Sequence, residues 1–175
     1  KDVEAIKGIE LSDRIIKRAI DSINRHRKSD LSFMYGEYLK SRPMYGINRP
    51  GGSLGRTQAC NYALRIWGDE SITDQNIIDW LDRLDKRNGW LDIGRKRPVP
   101  HEAWFGVAGY FYYYGHYYAA KCTEILPSTE AARHKKMLAG YMLKHQEKDG
   151  SWWDFPFYSY HQPYGTTFTI ITLTH

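Results

Sequence analysis

Two stretches of the chain fall into one register, and that constrains its fold more than any other feature. "WLDRLDKRNGW" (80–90) and "YMLKHQEKDGSW" (141–152) each end a helical pattern and run through an Asn-Gly or Asp-Gly pair to a tryptophan. Trp80 and Tyr141, Asp85 and Gln146, and Gly89 and Gly150 share one offset, 141 − 80 = 61 residues. "GGSL" (51–54) reads as a third, degenerate copy, and after each copy comes a helix entered through glycine: Gly55, Gly115 and Gly165. The unit is turn, helix, helix, turn. Such a unit buries its apolar face only by stacking on its neighbours.

The 3.6-residue periodicity predicts helices over 11–28, 56–67, 73–87, 101–126, 128–148 and 164–175. Ser12 and Thr73 are expected N-caps, and the pairs Asn88-Gly89 and Asp149-Gly150 are expected helix stops. The segment 164–175 is β-branched enough to suit a strand in isolation, but its place in the repeat predicts a helix. Segments 73–87 and 128–148 carry most of the charge and read as an outer layer. Segments 56–67, 101–126 and 164–175 are more apolar and aromatic and read as an inner one. The expectation is a single all-α domain over 1–175, with helix-pair repeats at about 50–90, 90–152 and 152–175.

At 175 residues the chain can bury a core of ordinary size. The net charge of +5 comes from dispersed Lys and Arg, with short runs only at 25–28, 94–98 and 133–136. Nucleic-acid binding would favour a continuous basic face, so no nucleic-acid partner is expected. No stretch approaches the roughly 18 apolar residues of a membrane span. Cys60 and Cys122 have neither disulfide-framework nor metal-knuckle spacing, and the compartment stays open. The first residue is Lys1, and the expectation is a processed product or an excised piece of a longer chain.

Tyr141, Met142, Gln146, Gly150 and Trp152 resemble the QW motif of squalene and oxidosqualene cyclases: an aromatic, an aliphatic, three residues, Gln, a short spacer, then Gly-x-Trp. Trp80, Leu81, Gly89 and Trp90 form a second copy, in which Asp85 replaces Gln and the residue between Gly and Trp is missing. The resemblance covers roughly 50–175 and implies an (α/α) toroid of the terpenoid cyclase and protein prenyltransferase superfamily. The chain would supply about half of a full α/α barrel, the rest coming from the same ring or from a second copy in a homodimer. The resemblance also implies that the motif is structural, with Gln bonding backbone at a helix end and Trp stacking beneath it.

The chemistry of that family is harder to find. The Asp-x-Asp-Asp acid of squalene-type cyclases is absent, as are the Asp-Asp-x-x-Asp magnesium motif, the Asp-x-Cys zinc pair and the thioester motif of complement-type toroids. Carboxylates at 79–85 suit a solvated helix face. The chain offers no compact ligand set; His101, His116, Cys122 and His161 are the residues that could converge in space, and no metal and no cofactor are expected. Rings on the inner helices, Tyr113 and Tyr117 among them, either line a cavity and stabilise a cation or pack between layers.

Loops entering the inner helices place the remaining candidates on one rim. Asp92, Arg95, Arg97, His101 and Glu102 come from one loop, and Trp153, Asp154, Tyr158, His161 and Tyr164 from the next. His101, Asp154 and His161 are the candidate acid/base groups, and the others would contact substrate. The expected ligand is a small molecule, an isoprenoid or other apolar chain. The alternatives are a carbohydrate-active (α/α) barrel, in which the arginines bind uronate carboxylates, and a non-catalytic repeat scaffold.

Overall fold

A computed structural model describes residues 10–101, 106–156 and 159–175, and all regular structure among them is helical. The six α-helices are α1 (Asp13–Asn24), α2 (Leu54–Ile66), α3 (Asp74–Asp92), α4 (Phe111–Thr123), α5 (Ser128–Lys144) and α6 (His161–Thr174). Three short 3₁₀ turns, Glu37–Leu39, Gly46–Asn48 and Pro50–Ser53, shape the connection from α1 to α2. The segment 164–175 is helical, as its place in the sequence pattern predicts.

The helices pack in two rows. In the first, α2 lies against α4 and α4 against α6, while α2 and α6 do not touch. In the second, α3 packs on α2 and α4, α5 packs on α4 and α6, and α3 meets α5. The most extensive contact is α2 with α4, where Gly55 and Gly115 let two backbones meet. A Cβ on Gly115 would stand 2.7 Å from the Gly55 Cα. Between the rows lies one core built on Leu54, Leu64, Ile77, Leu81, Leu84, Tyr112, Tyr113, Leu138 and Met142.

Two helix boundaries depart from the sequence expectation by five residues or more. Helix α3 opens at Thr73 with a full capping box to Asn76, but it runs through Asn88-Gly89 to Asp92. Trp80, Leu81, Leu84, Asn88 and Leu91 form one continuous buried stripe, and packing of that stripe overrides the glycine's weak helix propensity. Helix α4 begins at Phe111, far inside the predicted 101–126 span. No local side chain caps it. The Asp154 carboxylate, 41 residues downstream, accepts the Tyr113 N–H at 3.0 Å instead.

At the end of α5 the turn behaves as a unit. Gly150 has φ +84°, and the Gln146 side-chain amide donates to the Gly150 carbonyl at 3.0 Å. The buried Trp152 indole donates to the Met142 carbonyl at 2.8 Å, while its backbone N–H donates to Thr166 Oγ1 of α6 at 3.0 Å. The turn therefore ties the last turn of α5 to the first turns of α6.

Candidate functional site

The residues of α4 divide between two faces. Tyr112, His116, Ala119 and Thr123 recur every three or four positions and are buried against the second row. Half a turn away, Tyr114, Tyr117, Tyr118 and Lys121 are only partly buried. The latter face carries a connected ribbon of rings across the first row. Tyr62 of α2 stands 6.4 Å from Tyr118. Tyr118 meets Tyr114 at 5.0 Å and Tyr117 at 4.9 Å. Tyr117 meets Phe168 of α6 at 4.9 Å, and Phe168 meets Tyr164 at 4.7 Å. These separations and tilted or edge-on geometries are the favourable ones for aromatic pairs. Each ring keeps part of its surface open.

One end of the ribbon carries a cation: Lys121 Nζ lies 5.7 Å from the Tyr62 ring centre. The other end approaches Asp154. That residue is fully buried, and its burial pushes the carboxyl up to about 7, against the opposing pull of the Tyr113 N–H, the nearby N–H groups of Asp154 and Phe155, and the Arg95 charge. Its Oδ2 accepts the Tyr113 N–H at the α4 N-terminus, and Oδ1 has no well-aligned partner among the described residues. A proton on the neutral acid therefore belongs on Oδ1. Burial, and then the Asp154 charge, raise the Tyr164 phenol, which places the acid in electrical contact with the end of the ribbon.

The remaining candidates divide among three places. Asp92 and Arg95 pair at 2.7 Å; His145 reaches the same Asp92 oxygen at 3.6 Å, and Arg95 lies 5.8 Å from the Tyr112 ring centre. Arg97 is exposed and donates to the Ile93 carbonyl at 2.7 Å. Trp153 meets His161 edge-on at 5.2 Å, and Lys96 Nζ lies 4.5 Å from its ring centre. His101 lies beside Tyr35, Tyr110 and Phe111, and among the described residues no ring or ion-pair contact joins it to Asp154 or His161. Glu102 and Tyr158 lie outside the described residues.

Of the two readings for these rings, Tyr113 fits packing: it is fully buried and stands edge-on to Tyr112 at 5.2 Å, while Tyr117, one turn on, stays partly open. The ring partners from other helices, Tyr62 and Phe168, carry no local signal in the sequence. Only the alignment of three helices brings them into line with α4. Among the described residues no three His, Cys, Asp or Glu side chains are grouped to hold a metal ion, and no helix is long and apolar enough to cross a membrane.

Comparison with known proteins finds no matching family model, and no significant match among curated proteins or solved structures.

Proposed function

We propose that the chain is part of an (α/α) toroid of the squalene cyclase and prenyltransferase type, and that it holds an isoprenoid or similar apolar chain along the ribbon from Tyr62 to Tyr164. The ribbon carries this reading: five helix-borne rings in unbroken contact across α2, α4 and α6, on the face turned away from α3 and α5. Tyrosine faces attract a developing positive charge by about 0.5–2 kcal/mol each. Asp154, which burial keeps largely protonated up to about pH 7, is the proton donor at the ribbon's end, and Tyr113 orients it through its backbone N–H. The two-row packing and the Gln146–Gly150–Trp152 turn are what such a toroid segment requires.

The saccharide alternative draws less support at the rim. Both arginines assigned to a uronate there are already engaged, Arg95 by Asp92 and Arg97 by the Ile93 carbonyl.

Thermal-shift titration with a protonated farnesyl amine and with carrier-borne squalene tests the proposal. Both should stabilise the protein, the cation more. The effect should be lost in a Tyr117→Leu/Phe168→Leu double variant and kept in Asp154→Asn. An unshifted melting temperature with both ligands, or full retention in the double variant, sinks the reading.

A further inference from the structure

A second opening lies away from the ribbon, in front of the α2 and α4 N-termini. It is a cleft of about 600 Å³ lined by Tyr35, Tyr38, Arg42, Tyr45, His101 and Gly106, among others. Tyr38 is 75% exposed and Tyr45 57%, so much of each ring is open to a ligand, although the Tyr38 ring lies against Gly36. Exposed aromatic side chains are costly on an ordinary surface and mark binding sites when they cluster. Among the described residues Arg42 has no carboxylate partner, and no acidic side chain lines the cleft.

The wall is built rather than incidental. Asn48, fully buried, accepts the Tyr35 N–H at 2.8 Å and donates to the Arg42 carbonyl at 3.1 Å, fixing both ends of the tyrosine-bearing segment. Arg56, nine-tenths buried, spends its guanidinium on the carbonyls of Phe33, Gly52 and Ile47. No carboxylate balances it among the described residues, and desolvation pulls it down to about 10. It remains a cation at neutral pH, 5.7 Å from the Tyr35 ring centre and directly behind the cleft.

The polar edge has a determined proton arrangement. His101 Nδ1 faces the Gly106 carbonyl at 2.6 Å, and a carbonyl only accepts, so Nδ1 carries the proton. In the neutral ring Nε2 then accepts from the Tyr110 hydroxyl at 2.9 Å. The Tyr35 phenol lies beside the Tyr110 hydroxyl and on the cleft wall, where its own hydroxyl can meet a ligand hydroxyl. His101 holds this chain at φ +62°, a backbone conformation uncommon for a side chain-bearing residue and one that concentrates at functional sites.

Stackable rings, a planar cation with no carboxylate partner among the described residues, a buried cation near them and a phenol hydroxyl together point to one ligand chemistry. We infer that this cleft binds an acidic sugar, a pyranose ring carrying a carboxylate or phosphate, with the ring against Tyr45 and Tyr38, the anion on Arg42 and a hydroxyl on Tyr35. Arg offers a two-pronged donor set that fits either anion, and sugar C–H faces pack on tyrosine rings.

Isothermal titration with digalacturonate, glucose 1-phosphate and an uncharged digalactoside tests the site. At least one anionic sugar should bind, at least tenfold more tightly than the neutral one, and the preferred anion identifies carboxylate or phosphate as the recognised group. Arg42→Ala and Tyr45→Ala should each weaken it about tenfold, and Tyr45→Phe should not. Tyr35→Phe should weaken it while leaving the circular dichroism spectrum unchanged. Arg42 and Tyr45 are exposed, so their variants should fold. Absence of binding up to about 10 mM, equal affinity for the neutral sugar, or full affinity in Arg42→Ala overturns the inference.

Discussion

Asn88 of α3 and His116 of α4 meet at 2.7 Å inside the interface between the two rows. His116 Nδ1 faces the Tyr112 carbonyl at 2.7 Å, so it donates there, and Nε2 accepts from the Asn88 amide. The Tyr112 hydroxyl completes the group by donating to Asn88 Oδ1 at 3.3 Å. Asn88→Ala removes two hydrogen bonds at once and leaves a buried ring nitrogen and a buried phenol without partners. Each such orphan costs about 1–3 kcal/mol. The variant should lose about 2–4 kcal/mol in urea unfolding at pH 8, with an unchanged m value.

The same histidine and Asp154 set opposing pH dependences. Burial drives His116 down to about 4, so it is neutral in the folded protein while the unfolded chain protonates near 6.5. Stability from this group is complete above pH 6.5 and is lost as pH falls towards 4. Burial raises Asp154 from 3.8 to about 7. Its contribution is complete below pH 4 and is lost as pH rises through 7. Each effect is on the order of a few kcal/mol, so the two largely offset one another between pH 4 and 6.5. Asp154→Asn should unmask the histidine: its stability should fall steadily from pH 6.5 to 4.5. His116→Gln should show the reverse slope, gaining stability as pH drops. Parallel, flat profiles in both variants would contradict the assignment.

Gly89 and Gly150 occupy equivalent positions in the sequence register and opposite conformations in the fold. Gly150 sits at φ +84° in the turn after α5; Gly89 lies inside α3, and a Cβ there would meet nothing within 4 Å. Gly89→Ala should therefore stabilise by about 0.5–1 kcal/mol, while Gly150→Ala should destabilise by about 1 kcal/mol or more. Thermal melts of the two variants decide this directly.

That pair also shows what the sequence carries and what it does not. The helices read well because their apolar periodicity is local, and so is the Thr73–Asn76 capping box that starts α3. The stop at Asn88-Gly89 is a local signal too, but Asn88 answers to His116 and Tyr112 on another helix, and the chain continues helical to satisfy them. The start of α4 fails for the same reason. Its cap, Asp154, is 41 residues away in sequence. Asp154 and Tyr164 are marked in the sequence as candidates by residue type and loop position, and Tyr117 by residue type on an inner helix. Tyr62, Phe168 and the cleft residues Tyr35, Arg42 and Tyr45 are not, since only tertiary packing, through Asn48 and Arg56, brings them together.

Gly55 and Gly115 make the α2–α4 crossing the least tolerant point of the fold. A methyl group on Gly115 would stand 2.7 Å from the Gly55 Cα; one on Gly55 would stand 3.0 Å from the Phe111 carbonyl oxygen and 3.3 Å from the Gly115 Cα. The clashing atoms are backbone, so neither can rotate aside, and relief requires the helices to separate. Overpacking of this kind costs about 1–3 kcal/mol, against a gain of about 1 kcal/mol from helix propensity. Gly115→Ala should be net destabilising, and more so than Gly55→Ala. Separation of α2 and α4 would also break the Tyr62–Tyr118 contact in the ribbon. Gly115→Ala should therefore weaken binding of the farnesyl amine even at temperatures where the variant remains folded, whereas a destabilisation without change in affinity would place the ligand away from the α2–α4 seam.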